Sequence, residues 1–168
     1  MPLLADYPNL LVCGTFSKSR SLAGLRLGFA IGSAELIGVL EAVKNSYNSY
    51  TVDNLSLLCG AAAMDDEAYF AKTTAAVITT RERVRRALEQ MGFSVLPSRT
   101  NFLFATKEGA SMRELFLYLK QRHIYIRYFD LPRIDNYVRI TIGTDAQMDA
   151  FLPVSYTHLQ AHETLRHL

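Results

Sequence analysis

Residues 15–32 read TFSKSRSLAGLRLGFAIG, an apolar stretch that sets one lysine, Lys18, between small hydroxyl residues and an arginine, Arg26, eight positions later beyond a Leu-Ala-Gly hinge. A lysine amine has a free pKa of about 10.4, so only on the order of one in a thousand is nucleophilic at neutral pH. A partly buried site near other cations lowers that value, and lysine is the usual residue for an imine with an aldehyde. Thr15 and Ser17 offer hydroxyl donors, and the Arg26 guanidinium offers a fork suited to a phosphate oxyanion. A lone lysine at a strand end is ordinarily a solvated surface residue. The hydroxyls, the hinge and the arginine together point instead to an aldehyde that bears a phosphate.

The segments around this loop predict its setting. NLLVCG and LRLGFAIG are short apolar runs, expected as two buried strands flanking the loop. SAELIGVLEAVKN has a Ser33 cap and apolar residues at Leu36, Ile37, Leu40 and Val43, the spacing of an amphipathic helix. A second helix is expected from Asp53 to about Met64, then a long one from about Glu67 to Gln90 that Gly92 stops and that holds the domain boundary. Beyond it, FSVLPSRTNFLFA is strand-like around Val95 and Phe102 to Phe104, SMRELFLYLKQR is helical with a Ser111 cap, and IYIRYF and YVRITIG alternate as half-buried strands do. This second half reads as a small α+β domain. DAQMDAFL begins a helix that Pro153 is expected to cut short.

Composition agrees with a folded globular protein. Of 168 residues, 49% are hydrophobic, and 18 basic residues nearly balance 16 acidic ones, so no single-sign field marks nucleic acid or a membrane as partner. RERVRRALEQ is expected as the solvated face of a helix. Cys13 and Cys59 lie in apolar surroundings without metal-ligand spacing and are read as reduced thiols. The start, MPLLADYPN, lacks the pattern of a signal peptide, and no apolar run is long enough to span a bilayer, so the expected location is cytoplasmic. His123 has no partner pattern and is read as structural or exposed.

The stretch TFSKSRSLAGLRLGFAIG resembles the lysine motif of the fold-type I aminotransferases that use pyridoxal 5'-phosphate, most closely the histidinol-phosphate group among them. The resemblance implies an α/β fold: residues 1–75 as the C-terminal part of the cofactor-binding large domain, with a mainly parallel sheet, and residues 76–153 as the small C-terminal domain. It makes Lys18 the residue that bonds the cofactor aldehyde, makes Thr15, Ser17 and Arg26 contacts of the cofactor phosphate, and gives Gly24 and Gly28 the task of letting the chain pass close to it. It extends to YVRITIGT, where Arg139 would pair with the substrate carboxylate or a neighbouring group. Asn101 in SRTNFLFA would lie near the substrate, although a turn or cap role fits as well. Arg127 in IYIRYF would add a second cation, a surface salt bridge being the alternative. Tyr47 and Tyr50 would lie near a homodimer interface or cover a core edge.

The implied reaction is transamination between small amino and keto acids, histidinol phosphate and 2-oxoglutarate first among them. Aromatic aminotransferases and a threonine-phosphate decarboxylase share nearly the same motif. In the family, an acidic partner for the cofactor ring, a stacked aromatic and an Asn precede the lysine, and none is recognised among the 17 residues before Lys18. The expectation is therefore a fragment, inactive alone, with a truncated binding module as the non-enzymatic alternative. The tail VSYTHLQAHETLRHL, residues 154–168, carries three of the four histidines. HETLRH is one residue too long for the H-E-x-x-H zinc motif. The tail resembles instead a translated sequencing adapter, whose codons give VSYTHLRAHET and need one base change to place Gln160, so it is expected to be non-native.

Overall fold

The two strands beside the Lys18 loop are β1 (Val12–Thr15) and β2 (Gly28–Ile31), and they pair with each other antiparallel, with Thr15 opposite Gly28 and Gly14 opposite Phe29. The expectation of two buried strands is corrected: β2 is exposed along its length and β1 alternates between half-buried and exposed. Two strands alone cannot cover both faces of a ribbon, so their apolar side chains stay in reach of solvent. The structure, a computed structural model, describes the backbone of residues 2–165 and the side chains of residues 2–160.

After β2 come α2 (Ala34–Tyr47), capped by Ser33 through a hydrogen bond from the Leu36 N–H, and α3 (Asn54–Asp65), capped by Asp53, which accepts from the Ser56 N–H at 2.8 Å and the Ser56 hydroxyl at 2.7 Å. Those two donors hold the Asp53 carboxyl below the usual carboxylate range. A short α1 (Leu3–Asp6) precedes β1. Tyr47 and Tyr50 are 94% and 92% exposed, so they cover no core edge in this unit.

The long helix is α4 (Glu67–Gln90), and the chain divides into two units inside it, between Lys72 and Thr73. Its end is a Schellman motif. Gly92 has φ +83°, its N–H donates to the Glu89 carbonyl, and the Phe93 N–H donates to the Leu88 carbonyl. A left-handed residue is needed there, which is why glycine stops this helix.

The second unit is a four-stranded antiparallel sheet ordered β3 (Ser94–Val95), β4 (Phe102–Thr106), β6 (Val138–Thr141), β5 (Arg127–Tyr128). Period-two alternation puts Leu103, Ala105, Val138 and Ile140 on the core face, where they join Val84 and Leu88 of α4, Met112, Leu115 and Leu119 of α5 (Met112–Gln121), and Met148 and Phe151 of α6 (Asp145–Leu165). Burying a side chain of that size is worth roughly 1.5–3 kcal/mol, so this cluster is the main source of the unit's stability. α5 also ends in a Schellman motif, with His123 at φ +59° in the place glycine prefers.

α6 (Asp145–Leu165) does not stop at Pro153, contrary to the sequence reading. An internal proline removes one helical hydrogen bond and costs about 3 kcal/mol in a helix interior. Pro153 lies on the exposed side, and beyond it Ser155, His158 and Leu159 are buried, with His158 against the Tyr118 ring at 4.4 Å between centroids. That burial offsets the lost bond and carries the helix on. The side chains of His162, Glu163 and His167 lie outside the described residues. No helix among the described residues is long and apolar enough to cross a membrane.

Candidate functional site

Hairpin register closes the Lys18 loop. Thr15 is paired with Gly28, so Arg26, two residues earlier, stands at the same mouth as Thr15 and Ser17. The loop folds on its own backbone: the Phe16 N–H donates to the Leu27 carbonyl, the Leu22 N–H to the Phe16 carbonyl, and the Ser21 N–H to the Lys18 carbonyl at 3.0 Å. Phe16 and Leu27 are buried, and Phe16 meets the Phe29 ring edge-on at 5.8 Å. The buried Phe16 and Leu27 therefore anchor the loop, while Lys18 and Arg26 are exposed.

Thr15 Oγ1 donates to Ser17 Oγ at 2.9 Å and accepts from the Ser17 N–H at 3.1 Å, a local turn that holds both hydroxyls together. The Ser17 O–H then has no acceptor among the described residues. Arg26 has a left-handed backbone, φ +54°, and its Nη1 donates to the Ala23 carbonyl at 3.0 Å, which fixes the guanidinium over the turn Ala23–Leu25 and leaves further N–H groups to face an anion. A non-glycine residue in that region is held there at a cost, a pattern found at ligand sites.

Lys18 itself is exposed, which corrects the expectation of a partly buried amine. Between Asp6 and Glu35 there is no acidic residue, so the loop's cations stand without local neutralisation. Hydroxyl donors, a fixed guanidinium and a primary amine on one loop fit a phosphorylated aldehyde. Gly28 has a reason within the fold: a Cβ there would stand 2.9 Å from the Gly14 carbonyl oxygen, whereas at Gly24 it would meet nothing.

In the second unit the sheet face opposite the core carries Arg127 and Arg139. Arg127 on β5 lies directly across from Arg139 on β6, and Arg139 lies across from Phe104 on β4. Like charges placed directly opposite are destabilising unless something compensates. Part of the compensation is aromatic: the Arg139 guanidinium lies 5.3 Å from the Phe102 ring centroid and 5.9 Å from that of Phe129, and Arg127 lies 5.4 Å from Phe129. Neither arginine has a carboxylate partner among the described residues, and the Arg139 Nε is buried without a hydrogen-bond acceptor. An unsatisfied buried donor beside a second guanidinium suits a bound anion. Asn101 immediately precedes β4, its carbonyl accepting from the Ile142 N–H at 2.9 Å.

Sequence reasoning missed Arg81. Within the segment expected to be solvated it is only 8% exposed, its Nη1 donating to the Thr100 carbonyl at 2.8 Å and its Nε to Glu82. It holds the strand entry that carries Asn101. Charge runs on helices ordinarily face water, and nothing local marks which arginine of the run finds a distant carbonyl. The neighbours Arg85 and Arg81 hold the Glu82 carboxyl below its ordinary range.

Residues 1–153 match the family Aminotransferase class I and II. The chain is 52% identical over 152 residues to the histidinol-phosphate aminotransferase of Chromohalobacter salexigens, a match that covers 90% of this chain and 43% of that protein. Among solved structures, the histidinol-phosphate aminotransferase of Sinorhizobium meliloti in complex with pyridoxal-5'-phosphate superposes with a TM-score of 0.78 at 28% identity, covering 92% of this chain and 43% of the other. The histidinol-phosphate aminotransferase of Clostridium acetobutylicum has the same fold, with a TM-score of 0.83 at 21% identity over 93% of this chain and 47% of the other. The chain thus spans less than half the length of these relatives.

Proposed function

The chain belongs to the class I and II aminotransferase family, and from that premise we propose that it supplies the lysine and the anion-holding arginines of a pyridoxal-phosphate-dependent transaminase acting on histidinol phosphate and 2-oxoglutarate. The observation that carries this reading is the single loop that presents Lys18, Arg26, Thr15 and Ser17 together. Identity near one half to curated histidinol-phosphate aminotransferases supports the choice of substrate.

Each residue has a task. Thr15, Ser17 and Arg26 would hold the cofactor phosphate by charge-assisted hydrogen bonds. Lys18 Nζ would hold the cofactor through its aldehyde, and as a free amine it would take the proton from the substrate carbon that bears the amino group. The cofactor, when bound, supplies an electron sink for the charge left on that carbon. Arg139 orients a substrate carboxylate or phosphate, with Arg127 as a second cation for a doubly charged substrate. Tyr47 and Tyr50, exposed at the end of α2, support assembly with a second copy.

The test is a chimera in which residues 1–153 replace the matching segment of the Chromohalobacter protein. It should convert histidinol phosphate in preference to phenylalanine and threonine phosphate, and Lys18→Ala should abolish the half-reaction. Preference for phenylalanine or threonine phosphate would move the reading to an aromatic aminotransferase or a phosphothreonine decarboxylase. Activity that survives Lys18→Ala would sink it.

A further inference from the structure

Lys18 is exposed at the tip of a loop, yet an imine-forming amine needs a defined position. The geometry points to Arg20 as the residue that supplies it: a positioning residue that ties the turn carrying Lys18 to the C-terminal end of α3. This inference rests on the reading of Lys18 given above.

Lys18 and Ser21 are the ends of a four-residue turn closed by the Ser21 N–H to Lys18 carbonyl bond, and Arg20 is inside it. Ser21 has φ +58°, so the turn leaves by a left-handed step that serine adopts only when its surroundings hold it. The Arg20 side chain leaves the loop and donates from Nη1 to the carbonyl of Ala63 at 2.6 Å, a partner 43 residues along the chain. Ala63 lies in the last turn of α3, where carbonyls lack helical donors and carry the negative end of the helix dipole, a favoured place for a guanidinium. The same guanidinium stacks on the Phe70 ring of α4 at 3.9 Å from its centroid. A planar group gripped on its edge by a carbonyl and on its face by a ring has little freedom.

No other charged side chain of the loop reaches so far among the described residues, since Arg26 bonds Ala23 three residues away. The second anchor is apolar: Leu27 and Phe16 pack against Gly60, where an added Cβ would collide with Leu27. Thus α3 holds the loop twice, at Gly60 through packing and at Ala63 through Arg20. The apolar contact fixes the base of the loop, and Arg20 fixes its tip.

The experiment uses the 168-residue chain with pyridoxal 5'-phosphate as probe. The Lys18 amine condenses with the aldehyde and loses water, borohydride adds hydride to the imine carbon while solvent protonates the nitrogen, and peptide mapping compares Lys18 with Lys44 of the same unit. The wild-type chain should label Lys18 at least tenfold over Lys44. Arg20→Met should lower Lys18 labelling several-fold, leave Lys44 unchanged, and speed amide exchange at Ser21 and Leu22 about tenfold without changing exchange in β4 and β6. Arg20→Lys should recover part of the loss, because an ammonium can reach the carbonyl but cannot stack as a plane. Phe70→Leu, which keeps the carbonyl bond, should give a smaller loss of the same kind. If Arg20→Met leaves Lys18 labelling and the Ser21 and Leu22 amides within twofold of wild type, the positioning role is overturned. A wild-type chain that labels Lys18 no better than Lys44 would overturn the reading of Lys18 instead, whatever the amides show.

Discussion

The two units divide the work unequally. In the first, Phe16, Leu27, Ser56 and Gly60 are the buried residues described, while α2 and β2 bury none. In the second, a contiguous cluster from Val84 to Leu159 fills the space between one sheet face and three helices. The unit with Lys18 has little core of its own, and the unit with the core carries Arg127 and Arg139 on its sheet. A loop in such a setting is held by a few specific bonds, so single contacts such as those of Arg20, Arg26 and Gly28 should matter there more than their number suggests. In the second unit, stability rests on bulk burial and individual polar contacts should matter less.

The largest effect expected on that contrast comes from Leu103→Ala, which removes a fully buried side chain from the sheet and should cost about 3 kcal/mol in urea unfolding of the second unit. A loss under about 1 kcal/mol would mean the cluster does not act as a core. Gly28→Ala sets a methyl 2.9 Å from the Gly14 carbonyl oxygen and should destabilise the hairpin by about 1–3 kcal/mol, read as faster amide exchange in β1 and β2 and weaker labelling of Lys18. His123→Gly relieves a left-handed C-terminal position of α5 and should raise stability by about 0.5–1 kcal/mol, visible as a higher melting temperature.

The smallest effect is electrostatic. Bonds from Arg83 and then from Thr80 hold the Asp145 carboxyl below its ordinary range in the folded state. A lowered folded-state pKa means the unfolded chain binds the proton more readily, so this contribution is present at neutral pH and is lost as the pH falls through the ordinary carboxylate range and below it. Asp145→Asn should flatten that part of the melting-temperature profile and leave the profile above it parallel to wild type. An unchanged acid slope would show that the pair between α4 and α6 adds nothing.

Much of this organisation was legible along the chain. α3 and α5 begin at the expected Asp53 and Ser111 caps, and α4 ends at the expected Gly92 stop, because a helix end is decided by side chains within three or four residues of it. The residues proposed to hold the cofactor, Thr15, Ser17, Lys18 and Arg26, stand within twelve consecutive positions, so they could be read together as one loop. Where non-local energy decides, local reading failed. Pro153 reads as a stop, yet burial of Leu159 against a core assembled from distant segments carries the helix past it. Strands β1 and β2 read as buried, yet burial depends on what lies over their faces.

By itself, then, the sequence determined the element types, their caps, and a loop whose residue types suit a phosphorylated aldehyde. Only the tertiary structure decided that Arg127 and Arg139 stand opposite each other, because strand register is set by pairing between segments distant in sequence. It also decided which arginines are bound inward. A guanidinium on a long side chain can go to water or to a carbonyl, and Arg20 and Arg81 go to Ala63 and Thr100 because helix packing brings those carbonyls within reach.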